Sequence, residues 1–439
     1  MPRIVIGFAE TFKKTRSECL AMPKQPKLKR ALGLFDAVSI GLGAIIGAGI
    51  FVAVGVAAGL AGPGLIISVI LAGIIASFTA LSFAELGSAI PKEGGAYEYV
   101  FEIVSPFLGF LTGWMWLFGQ IVGGAAVSLG LAAYLALFVP FPIKLIAVSA
   151  CLFFMILNLI GIKQSSIVND VLVILKIASL CIFVIIGIFH VQASNFSPLF
   201  PNGSYGILAG AALIFFAYLG FGRISVVSEE VKDAERVIPL SILLSLGIST
   251  ILYILVSFTA VGIVGYSKLS ASASPLADAL GVTGNGLAVW AVSLGGILAT
   301  ASVLLTTVLG TSRVSFSMAR NKQLPDVIAA LHPRFGTPVY SILATGSLMA
   351  LLAFALDLKQ VLSLASFSTI LAHALVNYSA LKLGKTKRGF RAPFRPVPQL
   401  LGIISCVLLA CYLLPETWAA ASVVLFAGVV FYLFERLRK

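Results

Sequence analysis

The stretch AIIGAGIF, Ala44 to Phe51, places two glycines and two alanines inside a long apolar run that begins near Leu34. Glycine destabilises the interior of a helix. An unpaired backbone group in a bilayer costs several kcal/mol, so a membrane helix is interrupted only where its backbone is buried in protein or lines a cavity. Glycines also allow two helices to pack closely. The stretch therefore predicts either a functional break in a membrane helix or a close helix contact.

The composition around this stretch is that of an integral membrane protein. Of the 439 residues, 59% are hydrophobic and 11% charged, and the mean hydropathy is +1.06. A water-soluble protein of this length needs far more polar surface. Twelve apolar segments are long enough to be predicted as membrane helices; they are residues 34–60, 63–90, 106–139, 143–161, 166–189, 206–228, 239–265, 285–319, 338–356, 360–381, 397–414 and 416–434.

The 30 lysines and arginines indicate the orientation of these segments. If the N-terminus is cytoplasmic, the loops on the outside contain only Lys144, Lys268 and Lys359, and most of the others lie in cytoplasmic loops and tails. Positive charge accumulates on the cytoplasmic side of membrane proteins. We therefore expect a multi-pass protein of the cell membrane with both termini in the cytoplasm, and we do not interpret the net charge of +13 as a nucleic-acid surface.

A second glycine interruption favours the functional break. Segment six contains IFFAYLGFGRIS, Ile214 to Ser225, with Gly220 and Gly222 near its middle. Segments one and six are five spans apart, so a repeat of five helices would be inverted the second time. Paired interrupted segments at matching places in two halves are typical of inverted-repeat transporters. We predict that residues 47–49 and 220–222 are non-helical and face each other near the middle of the membrane.

Four motifs resemble those of the amino acid–polyamine–organocation superfamily of transporters. They are IIGAGIF (45–51), FFAYLGFGRISVVSEEVKDAERVIPLSI (215–242), SRVSFSMARNKQLPDVI (312–328) and FRAPFRPVP (390–398). The resemblance implies an all-α integral membrane protein with 12 transmembrane helices, arranged as a LeuT-type 5+5 inverted repeat plus two extra helices. The implied units are a basic cytoplasmic tail, two five-helix repeats and the last two helices, at residues 1–33, 34–189, 206–381 and 397–434.

The resemblance also implies a substrate site made largely by main chain at the two breaks. The substrate carboxylate would meet N–H groups around Ala48 and Gly49, and a larger residue at Gly49 would occupy the carboxylate position. The amino group would meet carbonyls around Ile45, Phe216 and Leu219, with the Phe216 ring as a gate. The full set of expected substrate-binding residues is Ile45, Gly47, Ala48, Gly49, Phe216, Ala217, Leu219 and Gly220.

Lys176 lies within the apolar run VLVILKIASLCIF of segment five. A lysine at the centre of a membrane helix costs about 3 kcal/mol on insertion scales. It must therefore find oxygen partners, release its proton, or extend its long side chain to the membrane surface. In certain proton-coupled members of the superfamily, a lysine of segment five takes the place of a sodium ion. By that resemblance Lys176 would couple transport to protons, with the Gly43 carbonyl and Ser302 as partners and Thr300 as the alternative to Ser302.

These features predict a secondary active transporter that moves neutral amino acids by alternating access, coupled to protons rather than sodium. One alternative is an amino-acid exchanger of the same fold, in which Lys176 is a fixed structural cation. Another is an unrelated carrier of two six-helix halves, which would need a long loop after segment six. Only about ten residues, 229–238, lie there.

Other polar residues give weaker indications. Arg223 follows Gly222 where some relatives have an acidic residue, which argues against a cationic substrate. Glu85 is expected either to pair with Arg313 or to be solvated. Three histidines and five cysteines without ligand spacing indicate no catalytic residue and no metal site. We expect no enzyme activity and no cofactor; the expected partners are an amino-acid substrate and membrane lipids, with no nucleic acid and no signal for a particular oligomeric state.

Overall fold

The computed structural model describes residues 32–90, 94–161, 166–332, 335–384 and 389–437, with no description of the side chains of 166–167 and 227–230. The predicted basic tail, residues 1–33, lies outside the described residues except for Leu32 and Gly33. In the described part of the chain, β-pairing is limited to two isolated bridges, between Leu32 and Val231 and between Leu331 and Pro338. The described protein is therefore all-α, as predicted.

Helices occupy each of the twelve predicted apolar segments. In chain order the α-helices are α1 (Leu34–Ile45), α2 (Val54–Ala61), α3 (Leu65–Ala89), α4 (Ala96–Ile103), α5 (Pro106–Leu135), α6 (Ile143–Leu159), α7 (Ser166–Gly187), α8 (Gly203–Ile214), α9 (Ala234–Ala271), α10 (Pro275–Gly281), α11 (Gly286–Arg320), α12 (Val339–Ala355), α13 (Leu358–Lys382), α14 (Val397–Cys411) and α15 (Pro415–Leu437).

Eight helical stretches of the described chain are long and apolar enough to cross a membrane. The first of them, Leu34–Ala89, contains both segment one and segment two. Helices α6, α12 and α14 are also apolar but have 17 residues or fewer. The structure is therefore that of an integral membrane protein, whereas the count of twelve spans and the five-plus-five repeat stay predictions.

Segment one is interrupted, but over a shorter distance than predicted. Helix α1 ends at Ile45, the chain bends at Ile46 and Gly47, and a π-helical turn, Gly49–Ala53, leads into α2. The prediction that residues 47–49 are all non-helical was therefore wrong for Ala48 and Gly49. A π-turn keeps backbone hydrogen bonds while it shifts the helix register, and fewer polar groups are left unpaired in an apolar interior.

Segment six changes helix type rather than unwinding. The α-helix α8 ends at Ile214, and a 3-10 helix continues over Phe215–Glu230. The prediction of a non-helical backbone at residues 220–222 was therefore wrong. A 3-10 helix bonds each residue to the third one before it and rises more steeply than an α-helix. Most of its backbone N–H and carbonyl groups still form hydrogen bonds. The chain can therefore depart from α-helical geometry inside an apolar segment.

The two interrupted segments face each other, as predicted, with main chain against main chain. A Cβ atom added to Gly49 would overlap the backbone of Ala217, and one added to Gly220 would overlap the carbonyl group of Ala44. Only glycine allows backbones to approach so closely. Both explanations offered by the sequence therefore hold at once, because the glycines lie at helix interruptions and also form the contact between them.

Candidate functional site

A small cavity of about 40 Å³ lies where the two interrupted segments meet. On one side it is bounded by the end of α1 and the following bend, and on the other by the 3-10 helix. Helices α5 and α11 complete the wall. Its lining residues are Ala44, Ile45, Gly47, Ala48, Gly49, Gly119, Gln120, Gly123, Val127, Phe216, Leu219, Gly220, Arg223, Val303 and Thr307.

Seven of the eight expected substrate-binding residues line this cavity. Phe216 contributes a ring that is partly exposed and approaches Gly123 of α5. The eighth, Ala217, does not line it. Ala217 is buried against Gly49, and its carbonyl accepts a hydrogen bond from the Tyr253 hydroxyl (3.2 Å). The main chain of Ala217 is therefore part of the helix contact beside the cavity.

The geometry at Gly49 also corrects the reason given for its importance. We expected a side chain there to occupy the carboxylate position, but an added Cβ points at the backbone of Ala217. At Gly47 an added Cβ would lie 2.8 Å from Cγ2 of Val303. Both glycines line the cavity with their backbones, and the side of each glycine on which a Cβ would lie packs against a neighbouring element.

Side chains from other helices satisfy the backbone carbonyls around the first interruption. The Tyr253 hydroxyl of α9 donates to the Ile45 carbonyl (2.8 Å), and the Tyr134 hydroxyl of α5 donates to the Phe51 carbonyl (2.8 Å). Both tyrosines are fully buried. A buried carbonyl without a partner costs about 1–3 kcal/mol, so these hydroxyls stabilise the interrupted form of the segment.

The Lys176 ammonium supplies a third such donor. It lies 3.0 Å from the Gly43 carbonyl, as the sequence led us to expect, and Lys176 is 1% exposed. The side chain therefore points into the protein and does not reach the membrane surface. A hydrogen bond from an ammonium group is stronger than one from a neutral donor. Lys176 of α7 thus ties the end of α1, one turn before the bend, to a neighbouring helix.

Ser302 and Thr300 make different bonds from those expected. The Ser302 hydroxyl donates to the Ala299 carbonyl (3.1 Å), and the Thr300 hydroxyl donates to the Gly296 carbonyl (2.7 Å). Among the described residues, neither hydroxyl is joined to Lys176 by a hydrogen bond. Hydroxyls in a membrane helix commonly bond to the carbonyl one turn earlier.

Arg223, for which the sequence indicated no contact within the site, also lines the cavity. Its guanidinium donates to the hydroxyls of Thr306 (2.5 Å) and Thr307 (2.5 Å) of α11 and, over 3.4 Å, to the side-chain oxygen of Gln120 of α5. It therefore joins the 3-10 helix to both other walls. The signal in the sequence was an arginine inside an apolar run, because an ionisable residue within a membrane segment marks a functional site.

Comparison with known proteins identifies the family of this chain. A family model described as amino acid permease matches residues 32–433. The chain belongs to the amino acid permease family. It is a membrane transporter and not an enzyme.

Three curated relatives illustrate the range of this family. The permease is 34% identical to the methylthioribose transporter of Bacillus subtilis, over 97% of this chain and 98% of that protein. It is 32% identical to a branched-chain amino acid permease of the same bacterium, over 96% of each chain. It is also 34% identical to the vacuolar cationic amino acid transporter 4 of Arabidopsis thaliana, over 81% of this chain and 64% of that protein.

A buried ion pair lies away from the cavity of the permease, at one end of the bundle. Glu85 of α3 is 1% exposed; the Arg395 guanidinium lies 3.3 Å from one of its carboxylate oxygens, and the Gln399 amide donates to the other (2.8 Å). The expectation that Glu85 pairs with Arg313 or is solvated was therefore wrong. Arg395 also donates to the carbonyls of Ala380 and Leu383 at the end of α13.

The described part of the permease contains no group of three or more histidine, cysteine, aspartate or glutamate residues that could hold a metal ion. His373 of α13 is buried and packs against the rings of Phe83, Phe215 and Phe221, with centroid distances of 5.4–6.0 Å. This environment is that of a packing residue.

Proposed function

We propose that this permease is a secondary active transporter that moves neutral amino acids across the cell membrane by alternating access, driven by the proton gradient. In this proposal twelve helices cross the membrane with both termini in the cytoplasm. Segments one to five and six to ten form the LeuT-type inverted repeat, and the last two helices lie outside it.

The substrate would bind at the cavity between the two interrupted segments. Backbone N–H groups near Ala48 and Gly49 would take its carboxylate, because free N–H groups at the start of a helix attract anions. Carbonyls near Ile45 and Leu219 would take its amino group. Small or apolar side chains make up most of the cavity wall, and none of the described residues that line it carries a carboxylate. These properties support a small neutral amino acid rather than a basic one.

The observation that carries the proton-coupling proposal is the contact between Lys176 and the Gly43 carbonyl. When protonated, the ammonium would hold α1 against α7. When deprotonated, it would keep only a weaker, neutral hydrogen bond, and the end of α1 could move. Proton binding and helix movement would thus be linked.

Uptake by the purified permease in proteoliposomes tests this proposal. Labelled alanine, serine and leucine are offered with an inward proton gradient, with a sodium gradient, or with neither. We expect accumulation only with the proton gradient. Lys176→Ala should abolish accumulation while leaving substrate binding measurable. Lys144→Ala, which removes a half-exposed lysine paired with Asp357, is the matched control and should accumulate substrate as the parent does.

Three results would overturn parts of the proposal. If Lys176→Ala still accumulates substrate with protons, Lys176 is not the coupling residue. If the parent exchanges internal for external substrate but ignores the gradient, the protein is an exchanger and Lys176 is a fixed cation. If no amino acid is taken up at all, the assignment of the substrate class is wrong.

A further inference from the structure

Among the described residues that line the cavity between the interrupted segments, one carries a charge, and that charge is the Arg223 guanidinium. Every hydrogen-bond partner of Arg223 in the described structure is neutral: two threonine hydroxyls and one amide oxygen. The threonine hydroxyls donate their own protons to carbonyls of α11. They therefore accept from Arg223 through their oxygens and give it no negative charge.

The three ion pairs found among the described residues all lie elsewhere. They join Lys144 to Asp357, Lys322 to Asp326, and Arg395 to Glu85. Arg395 is also a partly buried arginine, but it forms an ion pair with the buried carboxylate of Glu85. Arg223 also lies in the interior of the bundle but has no such match in the described structure. An arginine cannot escape the cost of its charge by losing a proton at physiological pH.

A guanidinium carries five N–H groups in a planar fork. The bonds to Thr306, Thr307 and Gln120 come from two of its three nitrogens, and the Gln120 contact is long. The Nε–H and one Nη1–H therefore make no hydrogen bond to the described residues, and the long Nη2 bond to Gln120 is the weakest of the three. A planar fork of donors binds a carboxylate well, and it repels a cation at the same position.

We propose that Arg223 determines the charge selectivity of the substrate site. It excludes amino acids with a cationic side chain, and it accepts neutral side chains and binds a side-chain carboxylate as its missing countercharge. This inference rests on the proposed function, because it concerns the substrate of that same cavity. It distinguishes this permease from those relatives whose names describe cationic amino acid transporters.

Competition between substrates of equal size and different charge tests the inference. Exchange of labelled alanine is measured in proteoliposomes without any gradient. Unlabelled lysine is compared with norleucine, and glutamate with glutamine. For the parent protein we expect lysine to inhibit about tenfold or more weakly than norleucine, which corresponds to about 1.4 kcal/mol or more. We expect glutamate to inhibit at least as strongly as glutamine.

Two substitutions assign this selectivity to Arg223. Arg223→Gln removes the charge and should bring lysine to within a few-fold of norleucine, while glutamate loses its advantage over glutamine. Arg223→Lys retains the charge and should continue to exclude lysine. Arg320→Gln, at an exposed arginine outside the cavity, is the matched control and should keep the parental selectivity.

The result for the parent protein can overturn the inference even if Arg223→Gln does not fold. If lysine and norleucine inhibit the parent equally, or if Arg223→Gln excludes lysine as the parent does, the inference is overturned while amino-acid transport stands. If alanine, serine and leucine are not exchanged at all, the proposed function fails, and this inference fails with it.

Discussion

At the scale of single residues, the interrupted helix is stabilised by donors from outside it. The carbonyls of Gly43, Ile45 and Phe51 each accept a hydrogen bond from a buried side chain of another helix. Two of the donors are tyrosine hydroxyls, and the third is the Lys176 ammonium. A bend in a membrane helix is stable only if its freed backbone groups find partners. These three side chains are therefore as important to the cavity as the residues that line it.

Substitution of Gly49 should act on stability first. In Gly49→Ala the new methyl group would overlap the Ala217 backbone, and the two interrupted segments would have to separate. Overpacking of this kind costs about 1–3 kcal/mol, so we expect a lower melting temperature for the purified protein in detergent. Gly247→Ala on α9 is the control, because in the described structure the added Cβ would come within 4 Å of no atom of a neighbouring element.

Gly247→Ala should melt at or slightly above the parental temperature, since alanine is the better helix former. Equal melting temperatures for the two variants would contradict this prediction, because they would show that the space between Gly49 and Ala217 can hold a methyl group. A stable Gly49→Ala protein without substrate binding would instead restore our original interpretation, in which Gly49 is needed for the carboxylate position.

The sequence predicted these residues to different degrees. Lys176 could be paired with Gly43 because a membrane-buried amine must find an oxygen and the family resemblance indicated which one. The absence of a bond from Lys176 to Ser302 could not be predicted. The Ser302 hydroxyl can form a hydrogen bond either within its own helix or with a neighbouring helix, and the sequence does not indicate which of the two it forms. The partners of Arg223 lie on α5 and α11, and no local pattern connects those helices to the 3-10 helix.

At the scale of helices, Arg395 fastens three elements together at one end of the bundle. It pairs with Glu85 of α3, donates to the last carbonyls of α13, and lies just before α14. A cation at the end of a helix also interacts favourably with the helix dipole. The ends of α3, α13 and α14 are thus fixed relative to one another.

Glu85→Gln should loosen this junction. It leaves the partly buried Arg395 without its counter-charge, and hydrogen bonds to charged groups contribute about 1.5–3 kcal/mol. We expect a clear fall in the melting temperature.

Asp326→Asn is the control, because it makes the same kind of chemical change in an exposed ion pair. The side chains of Lys322 and Asp326 are 63% and 73% exposed. Exposed pairs contribute about 0–1 kcal/mol, so this control should melt close to the parent. Similar shifts for both variants would contradict a structural role for the Glu85 pair.

Helix positions were predictable because long apolar runs have to be buried in lipid or protein. The type of helix at each interruption was not predictable. Hydropathy reports where a segment is buried, but it does not report whether a carbonyl bonds to the third, fourth or fifth residue ahead. The glycines marked the two interruptions correctly, but they did not indicate a π-turn in one and a 3-10 helix in the other.

At the scale of the whole molecule, the predicted orientation places the loop between α10 and α11 outside the cell and the segment between α11 and α12 in the cytoplasm. Val282 lies in the first loop and Leu331 in the second, with exposures of 60% and 52%. In a background in which all five native cysteines are replaced, Val282→Cys should react with a membrane-impermeant maleimide on intact cells. Leu331→Cys should react only after the membrane is opened. The opposite pattern would reverse the orientation.

The contact between the two interrupted segments has a consequence for how the gene can change. Single-base changes in a glycine codon yield codons for alanine, serine, cysteine, valine, aspartate, glutamate, arginine or tryptophan, or a stop. Each of these amino acids brings a Cβ atom. At Gly220 that atom would meet only the main chain of Ala44 and Ile45, and at Gly49 it would overlap Cα as well as Cβ of Ala217, so that removal of the Ala217 methyl group would not clear it. No substitution elsewhere can make room by shortening a neighbour, so missense alleles at these two codons have no simple second-site suppressor.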